Sequence, residues 1–326
     1  MFGAAVPRGN NADLKTKGWE ASVEWRDQGT LGGKPFQYGV KAMLWDSRSW
    51  VTKFNNDSKL LSTYYDGMEI GEVWGYRILG LFKDQADIDN HVDQSRIVVS
   101  GSNIIKPGDM KFADLNGDGE ITPGSNTVGD PGDRTIIGNT TPRYQFGLNL
   151  NFSWNRIGLM AFIQGVGQRH WYPAKESAYF WGQYNRPYGY MLNVHTGDNV
   201  WTEENQNTDA YWPRYRGYLA NSANRSMTVT NDRFLQNAAY VRLKNLQLNY
   251  TFDQRLCSKL GLQALSVYVA GENLYTWSPM FRVTDNFDPE VILAGDTDFR
   301  STSGTDGDGY GYPMLNTYTL GINLTF

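Results

Sequence analysis

The stretch Arg143–Trp154 reads RYQFGLNLNFSW, and every second residue is large and apolar. Tyr144, Phe146, Leu148, Leu150, Phe152 and Trp154 fall on one face, and Arg143, Gln145, Gly147, Asn149, Asn151 and Ser153 on the other. A period of two sustained over about twelve residues is the signature of a long β-strand with one apolar side. Working outward, Asn155 separates this run from a second alternating run over Ile157 to Ile163, which makes a hairpin. Trp19 to Arg26, Phe36 to Leu44, Leu265 to Val269 and Tyr318 to Phe326 alternate in the same way. In Tyr240 to Phe252 the apolar phase switches between Leu243 and Leu246, which predicts a β-bulge. Glu72 to Phe82 is a weaker candidate strand.

A soluble sandwich also alternates, so alternation alone leaves two architectures open. Strand length separates them. Soluble strands average about five or six residues, whereas a tilted membrane-crossing strand needs about nine to eleven. Several runs here reach the longer figure. The composition fits an all-β protein: 14% aromatic residues with 20 Tyr and 11 Trp, 35 Gly, and only 20% charged residues. No window holds the roughly 18 consecutive apolar residues of a membrane-spanning helix, so a membrane reading must run through strands. Mean hydropathy of -0.52 is compatible with that, because barrel strands are apolar on one face only and their loops are polar. The net charge of -4 argues against a nucleic-acid partner. A single cysteine, Cys257, excludes an intramolecular disulfide and a cysteine-rich metal site.

The connections are unequal. Asn155 is nearly the whole of one turn, while the segments from Lys83 to Thr141, Gly167 to Asn237 and Tyr275 to Asn316 are each on the order of 40 to 70 residues, far above the usual loop length. Outer-membrane barrels show this asymmetry, with short periplasmic turns and long external loops. With the C-terminus on the periplasmic side, strand parity puts all three long segments outside, and the Asn155 turn and Asp253 to Gly261 inside. Asp46 to Gly71 has room to hide a strand, so parity is less secure toward the N-terminus. Trp154, Tyr250, Phe252, Tyr275, Trp277 and Tyr318, near strand ends, suit interfacial girdles. The first residues, MFGAAVPRGNNADLKTKGWE, lack the basic segment and long apolar run of a secretory signal. The expectation is a chain that begins partway through a longer one.

Eight strings carry a family likeness, in order along nearly the whole chain: KTKGWEASVEWRD (Lys15 to Asp27), DLNGDGEIT (Asp114 to Thr122), DRTIIGNTTPRYQFGLNLNFSW (Asp133 to Trp154), NVWTEEN (Asn199 to Asn205), AAYVRLKNLQLNYTF (Ala238 to Phe252), GENLYTWS (Gly271 to Ser278), FDPEV (Phe287 to Val291) and YTLGINLTF (Tyr318 to Phe326). The chain resembles the C-terminal part of the SusC/RagA family of TonB-dependent outer-membrane transporters. That resemblance implies a 22-stranded antiparallel transmembrane β-barrel, of which residues 1–326 would supply about nine or ten strands, with long extracellular loops. It also implies an N-terminal plug encoded outside this sequence, and TonB engaged through that N-terminal region. A SusD-like lipoprotein would serve as a lid, and oligosaccharide or peptide would be the cargo. Residues 318–326, ending in Phe326, resemble the signal by which the barrel assembly machinery recognises a last strand. Outer-membrane lipid is the remaining expected partner.

Asp114, Asn116, Asp118, Gly119 and Glu120 fit the first seven positions of an EF-hand-like loop, whose alternating oxygens suit a hard cation such as Ca²⁺. Ser125 stands where the bidentate glutamate would be, so the missing carboxylate would come from Asp130 or Asp133. The competing reading is an Asx-rich turn satisfied by its own backbone. No cofactor is required on either reading. Trp171, Tyr172, Tyr179, Trp181 and Tyr184, then Tyr211, Trp212, Tyr215 and Tyr218, are loop aromatics. Their faces would stack on sugar rings or pack on peptide side chains, and Trp171, Trp181, Tyr184, Trp212 and Tyr215 are the substrate-contact candidates. The alternative, that they stabilise long loops or meet the lid, weighs more for any single residue. SGTDGDGYGY (Ser303 to Tyr312) lacks the Lys-Ser/Thr of a phosphate loop and reads as an external loop. His91, His170 and His195 have no metal-ligand spacing, no serine sits in G-x-S-x-G, and Cys257 has no neighbouring histidine, so the chain does not read as an enzyme. The function classes in play are active nutrient import, a soluble or surface-attached glycan- or Ca²⁺-binding module, and a passive porin.

Overall fold

The computed structural model describes residues 12–97, 105–174, 177–184, 195–216, 229–292 and 311–326. Its framework is one seven-stranded antiparallel meander: β1 (Ala12–Leu31), β2 (Lys34–Phe54), β7 (Arg143–Trp154), β8 (Ile157–Gln168), β11 (Tyr240–Thr251), β12 (Ala264–Trp277) and β13 (Thr317–Thr325). The seven alternating runs read from the sequence are these seven strands. Glu72 to Phe82 is no framework strand. It contains β3 (Glu72–Tyr76) and β4 (Ile78–Leu81), which pair with β6 (Arg134–Asn139) and β5 (Met110–Phe112) inside the first long connection. The expected nine or ten framework strands are therefore seven among the described residues. β9 (His170–Trp171) and β10 (Gln236–Asn237) pair within the second connection.

Register sorts the side chains. Tyr38, Phe152, Leu159, Leu248, Val269 and Leu320 line up across six strands, and so do Phe36, Trp154, Ile157, Tyr250, Val267 and Ile322. On the other face the rows are Gly39, Asn151, Met160, Gln247, Ala270, Thr319 and Gln37, Ser153, Gly158, Asn249, Tyr268, Gly321. One face is thus a continuous apolar sheet and the other an amide-rich polar one. No described residue covers the apolar face: Val23 is 71% exposed and Leu320 76%. Gly321 is a glycine because the Tyr268 ring lies over it, where a Cβ would come within 2.2 Å of a ring carbon.

The bulge anticipated in β11 is present, with a register shift between Leu243 and Asn245 against both neighbours. It keeps Leu243 and Leu246 on the same face although they are three residues apart. Tight turns end the strands at one side of the sheet. Gly32 and Gly33 both take positive φ (61° and 73°), the backbone a two-residue hairpin requires, and Asn155 takes 56°. The third turn carries a short helix (Gln254–Lys259), with Asp253 accepting from the Arg255 N–H at its start. All three long connections leave from the opposite end, as parity requires. β1 bonds only to β2 and β13 only to β12 among the described residues, so the sheet has two free edges.

The main buried core lies above the sheet, within the long connections. Tyr76, Leu81, Ile97, Met110, Phe112 and Ile121 come from the first, Trp171, Phe180, Trp181, Tyr184, Trp201, Trp212 and Phe234 from the second, and Met280, Phe287 and Ile292 from the third. Backbone bonds join the connections: Tyr76 N–H donates to the Thr230 carbonyl at 2.9 Å, and Arg214 N–H to the Gly108 carbonyl at 2.9 Å. The Asn286 amide donates to the Tyr179 carbonyl at 3.0 Å. Together they form one folded cap. A smaller core of Val51, Leu61, Tyr65 and Met68 packs the start of the first connection onto β2.

Candidate functional site

The site is built where the cap meets the polar face of the sheet. Alternation places Arg242 on that face of β11, between the outward Val241 and Leu243, and Lys244 follows as the extra residue of the bulge. Arg242 is 3% exposed and reaches two carboxylates of the third connection: Asp288 at 2.5 Å and Glu290 at 2.5 Å. Its Nε also donates to Thr276 Oγ1 at 2.7 Å, and Lys244 Nζ lies 2.9 Å from Glu290. Asp288 is held in turn: it accepts from the Glu290 N–H at 2.9 Å and from the Met314 N–H at 2.9 Å. Arg169 closes the arrangement by donating to the Pro289 carbonyl at 3.1 Å. A buried guanidinium is tolerated only with its donors matched and its charge paired, and Arg242 meets both conditions. The FDPEV turn is thereby latched to the wall. Phe287 alongside it packs on Trp171 with ring centroids 4.9 Å apart.

The aromatic candidates come together, but mainly with one another. Trp171, Trp181, Tyr184 and Trp212 are at most 1% exposed. Trp212 stacks on Tyr184 at 5.2 Å and tilts against Phe180 and Phe234 at 5.4 Å each. Tyr184 Oη donates to the Pro213 carbonyl at 2.6 Å, and Trp181 Nε1 to the Ala174 carbonyl at 2.8 Å. Tyr215 alone of the five shows an open ring, 40% exposed, at the edge of Tyr184. As placed, four of the candidates pack the cap and leave no face to a ligand. Tyr172 and Tyr211 are partly buried beside them and Tyr179 is exposed. Tyr218 and residues 303–310 of the glycine-rich stretch lie outside the described residues. His195 is wedged in the same cluster, 4.2 Å from Trp212 and 5.5 Å from Tyr184, and burial lowers its pKa to about 4. Burial likewise pushes the Tyr184 and Tyr211 hydroxyls far above the usual tyrosine range.

The acidic loop closes on its own backbone. Asp114 accepts from the N–H groups of Gly117 (2.6 Å) and Gly119 (3.0 Å), Asn116 from Asp118 (3.0 Å), and Asp118 from Glu120 (2.9 Å). Gly117 and Gly119 take φ of 77° and 87°, which only glycine adopts without strain. Asp133, fully buried, bridges the ends of the loop by accepting from Leu115 (2.8 Å) and Thr122 (2.7 Å). Desolvation would raise the Asp114 pKa, but the Gly117 and Gly119 N–H groups outweigh it and hold the carboxyl below its usual range. Glu120 turns away toward Arg96, 3.8 Å distant. Among the described residues no three His, Cys, Asp or Glu side chains converge as a metal shell.

Sequence reasoning missed the Arg242–Asp288–Glu290 latch and a second one, Asp109 held by Arg214 at 2.8 Å and Arg216 at 3.6 Å. The signal for the first lay in the polar phase of β11, where two cations interrupt an otherwise amide-rich face.

No family model matches the chain. It is 29% identical to TonB-dependent receptor P3 of Formosa agariphila across 97% of its own length, and 26% identical to TonB-dependent receptor P26 of the same organism across 97%. The chain spans 29% and 30% of the length of those curated relatives. Solved structures of the RagAB peptide transporter and of the RagAB peptide importer in its open-open state superpose with a TM-score of 0.61. They are 20% and 18% identical and cover 97% of the chain, and 30% and 29% of theirs. The fold is therefore that of a stretch of such a transporter.

Proposed function

We propose that this chain, related in sequence to the TonB-dependent receptors and in fold to a SusC/RagA-type transporter, forms part of the wall and outer vestibule of an outer-membrane nutrient importer. The observation that carries this is the uncovered apolar face, whose rows run from strand to strand over elements of nine to twenty-one residues. In water such a face is an aggregation surface; in a bilayer it is the required one. The amide-rich face then lines a lumen, and the capped end faces outward. The two free edges cost several kcal/mol per unpaired group in lipid unless further strands pair with them, so the working barrel is larger than these seven strands. Plug movement driven through TonB supplies the energy, a SusD-like lipoprotein closes over the cap, and the cargo is an oligosaccharide or a peptide. β13, with Phe326 at its end, is the strand the assembly machinery recognises.

Fractionation tests the membrane reading: the protein carrying this chain is expected in the outer membrane and released only by detergent. Recovery as a monodisperse soluble protein would overturn the proposal in favour of a soluble binding module. Uptake by energised cells tests transport, with loss of growth on the cargo when the gene is deleted. Uptake that persists after collapse of the proton gradient would point to a passive porin instead.

A further inference from the structure

On the apolar face of β1 the residues run Lys15, Lys17, Trp19, Ala21, Val23, Trp25, Asp27 from the capped end downward. The register with β2 is regular throughout this run, its only shift lying between Asp13 and Leu14, so all seven side chains stand on one side. Two lysines therefore continue the lipid-facing row past its last tryptophan. Lys17 is directly opposite Arg48, and Lys15 opposite Trp50. Opposed Cβ atoms are about 4.5–5.5 Å apart, and residues two apart on a strand about 6.6 Å, which gathers three cations in one patch.

The charges beneath are already balanced. Arg48 donates to Glu69 at 2.8 Å while lying over the Trp50 ring, and Arg143 donates to Asp46 at 2.5 Å. Two guanidiniums meet two carboxylates, and no acidic side chain pairs with Lys15 or Lys17 among the described residues. The patch keeps two ammonium groups outside any ion pair, and the next residue of the row, Asp13, stands opposite Lys53.

Height fixes what these cations meet. Asp27 and Lys17 are ten positions apart, roughly 33 Å along the strand and about 25 Å along the membrane normal at a tilt near 40°, which equals the usual apolar band. Lys17 and Lys15 thus sit at and above the upper rim of the hydrocarbon, with Trp19 and Trp50 at girdle level. We propose that Lys15 and Lys17, supported by Arg48, bind the phosphate of a lipid headgroup in the leaflet on the capped side. This rests on the membrane reading above. Pairing of another strand along the free edge of β1 lies in the plane of the sheet and leaves these outward side chains in place.

The test uses the protein that carries this chain, extracted in mild detergent and reconstituted in phosphatidylcholine nanodiscs doped with phosphatidylglycerol, with retained lipid counted by native mass spectrometry. The K15Q/K17Q variant is expected to lose about 5-fold in phosphatidylglycerol affinity per lysine, roughly 30-fold together. K15R/K17R should retain it, and K41Q, on the polar face, should not change it. Equal retention by wild type and K15Q/K17Q, with both still in the membrane fraction, would overturn the lipid site alone. Release of the wild type from membranes without detergent would overturn the membrane reading and the site with it.

Discussion

Arg242 shows how much one side chain decides here. It is buried on a strand wall with Asp288 and Glu290, in a setting where removing one partner of a charge pair costs about 3–5 kcal/mol because the other charges stay buried. Lys244 already neutralises part of Glu290, so Asp288 bears most of the loss in R242M. The expected outcome is a thermal midpoint several degrees lower in detergent and faster proteolysis around residues 281–292. The double variant R242M/D288N should be less destabilised than the sum of the two single changes, and strict additivity would show that the pair does not couple. His195 gives a pH dependence with a definite sign. Its folded pKa is depressed to about 4 by burial, against about 6.5 unfolded, so the unfolded chain takes up a proton first. Cap stability is full above about pH 6.5 and falls, by up to about 1.4 kcal/mol per unit, as pH drops toward 4. Hydrogen exchange of cap amides measured between those limits should show this slope in wild type and lose it in H195F. A slope unchanged in H195F would assign it to another group.

At the scale of the strand, legibility and its failure have the same cause. Period-two patterning located all seven framework strands and the β11 bulge, because each is a local alternation imposed by the pleat and by two unlike environments. Glu72 to Phe82 alternates poorly because β3 and β4 belong to a cap buried on several sides. Its residues answer to Ile136 and Phe112, 62 and 34 positions beyond Trp74 and Ile78. Alternation also predicts which substitutions a strand accepts. Leu248 and Gln247 are neighbours on β11, but Leu248 is in the row of Phe152 and Val269, and Gln247 in the row of Asn151 and Thr319. L248R should cost about 2–4 kcal/mol as a charge placed against hydrocarbon, and Q247R close to nothing. Urea-induced unfolding in lipid vesicles separates the two, and equal costs would mean that Leu248 does not face lipid.

Across the whole molecule the division of labour is between a sheet whose apolar face no described residue covers and a cap that makes its own core. The individual aromatics of the cap could be found in the sequence, and their common destination could not. Trp171, Trp212 and Phe287 come from two different connections, Tyr76 and Phe112 from a third, and only the meander brings their ends together. A stacking platform and a packed core draw on the same residue types, so composition does not separate them. Burial does, and it gives Trp212 the central place, in contact with Phe180, Trp181, Tyr184, His195, Tyr211 and Phe234. If the cap is one cooperative unit, W212A should cost about 3–5 kcal/mol, as a large aromatic deletion in a core does. That loss would be shared by all three connections. Hydrogen exchange should then accelerate together in the β4–β5 pair, around residues 195–212 and around residues 280–292, while β7, β8 and β11 keep their protection. Acceleration confined to residues 195–212 would mean that the connections fold separately, and the vestibule would then be three independent loops.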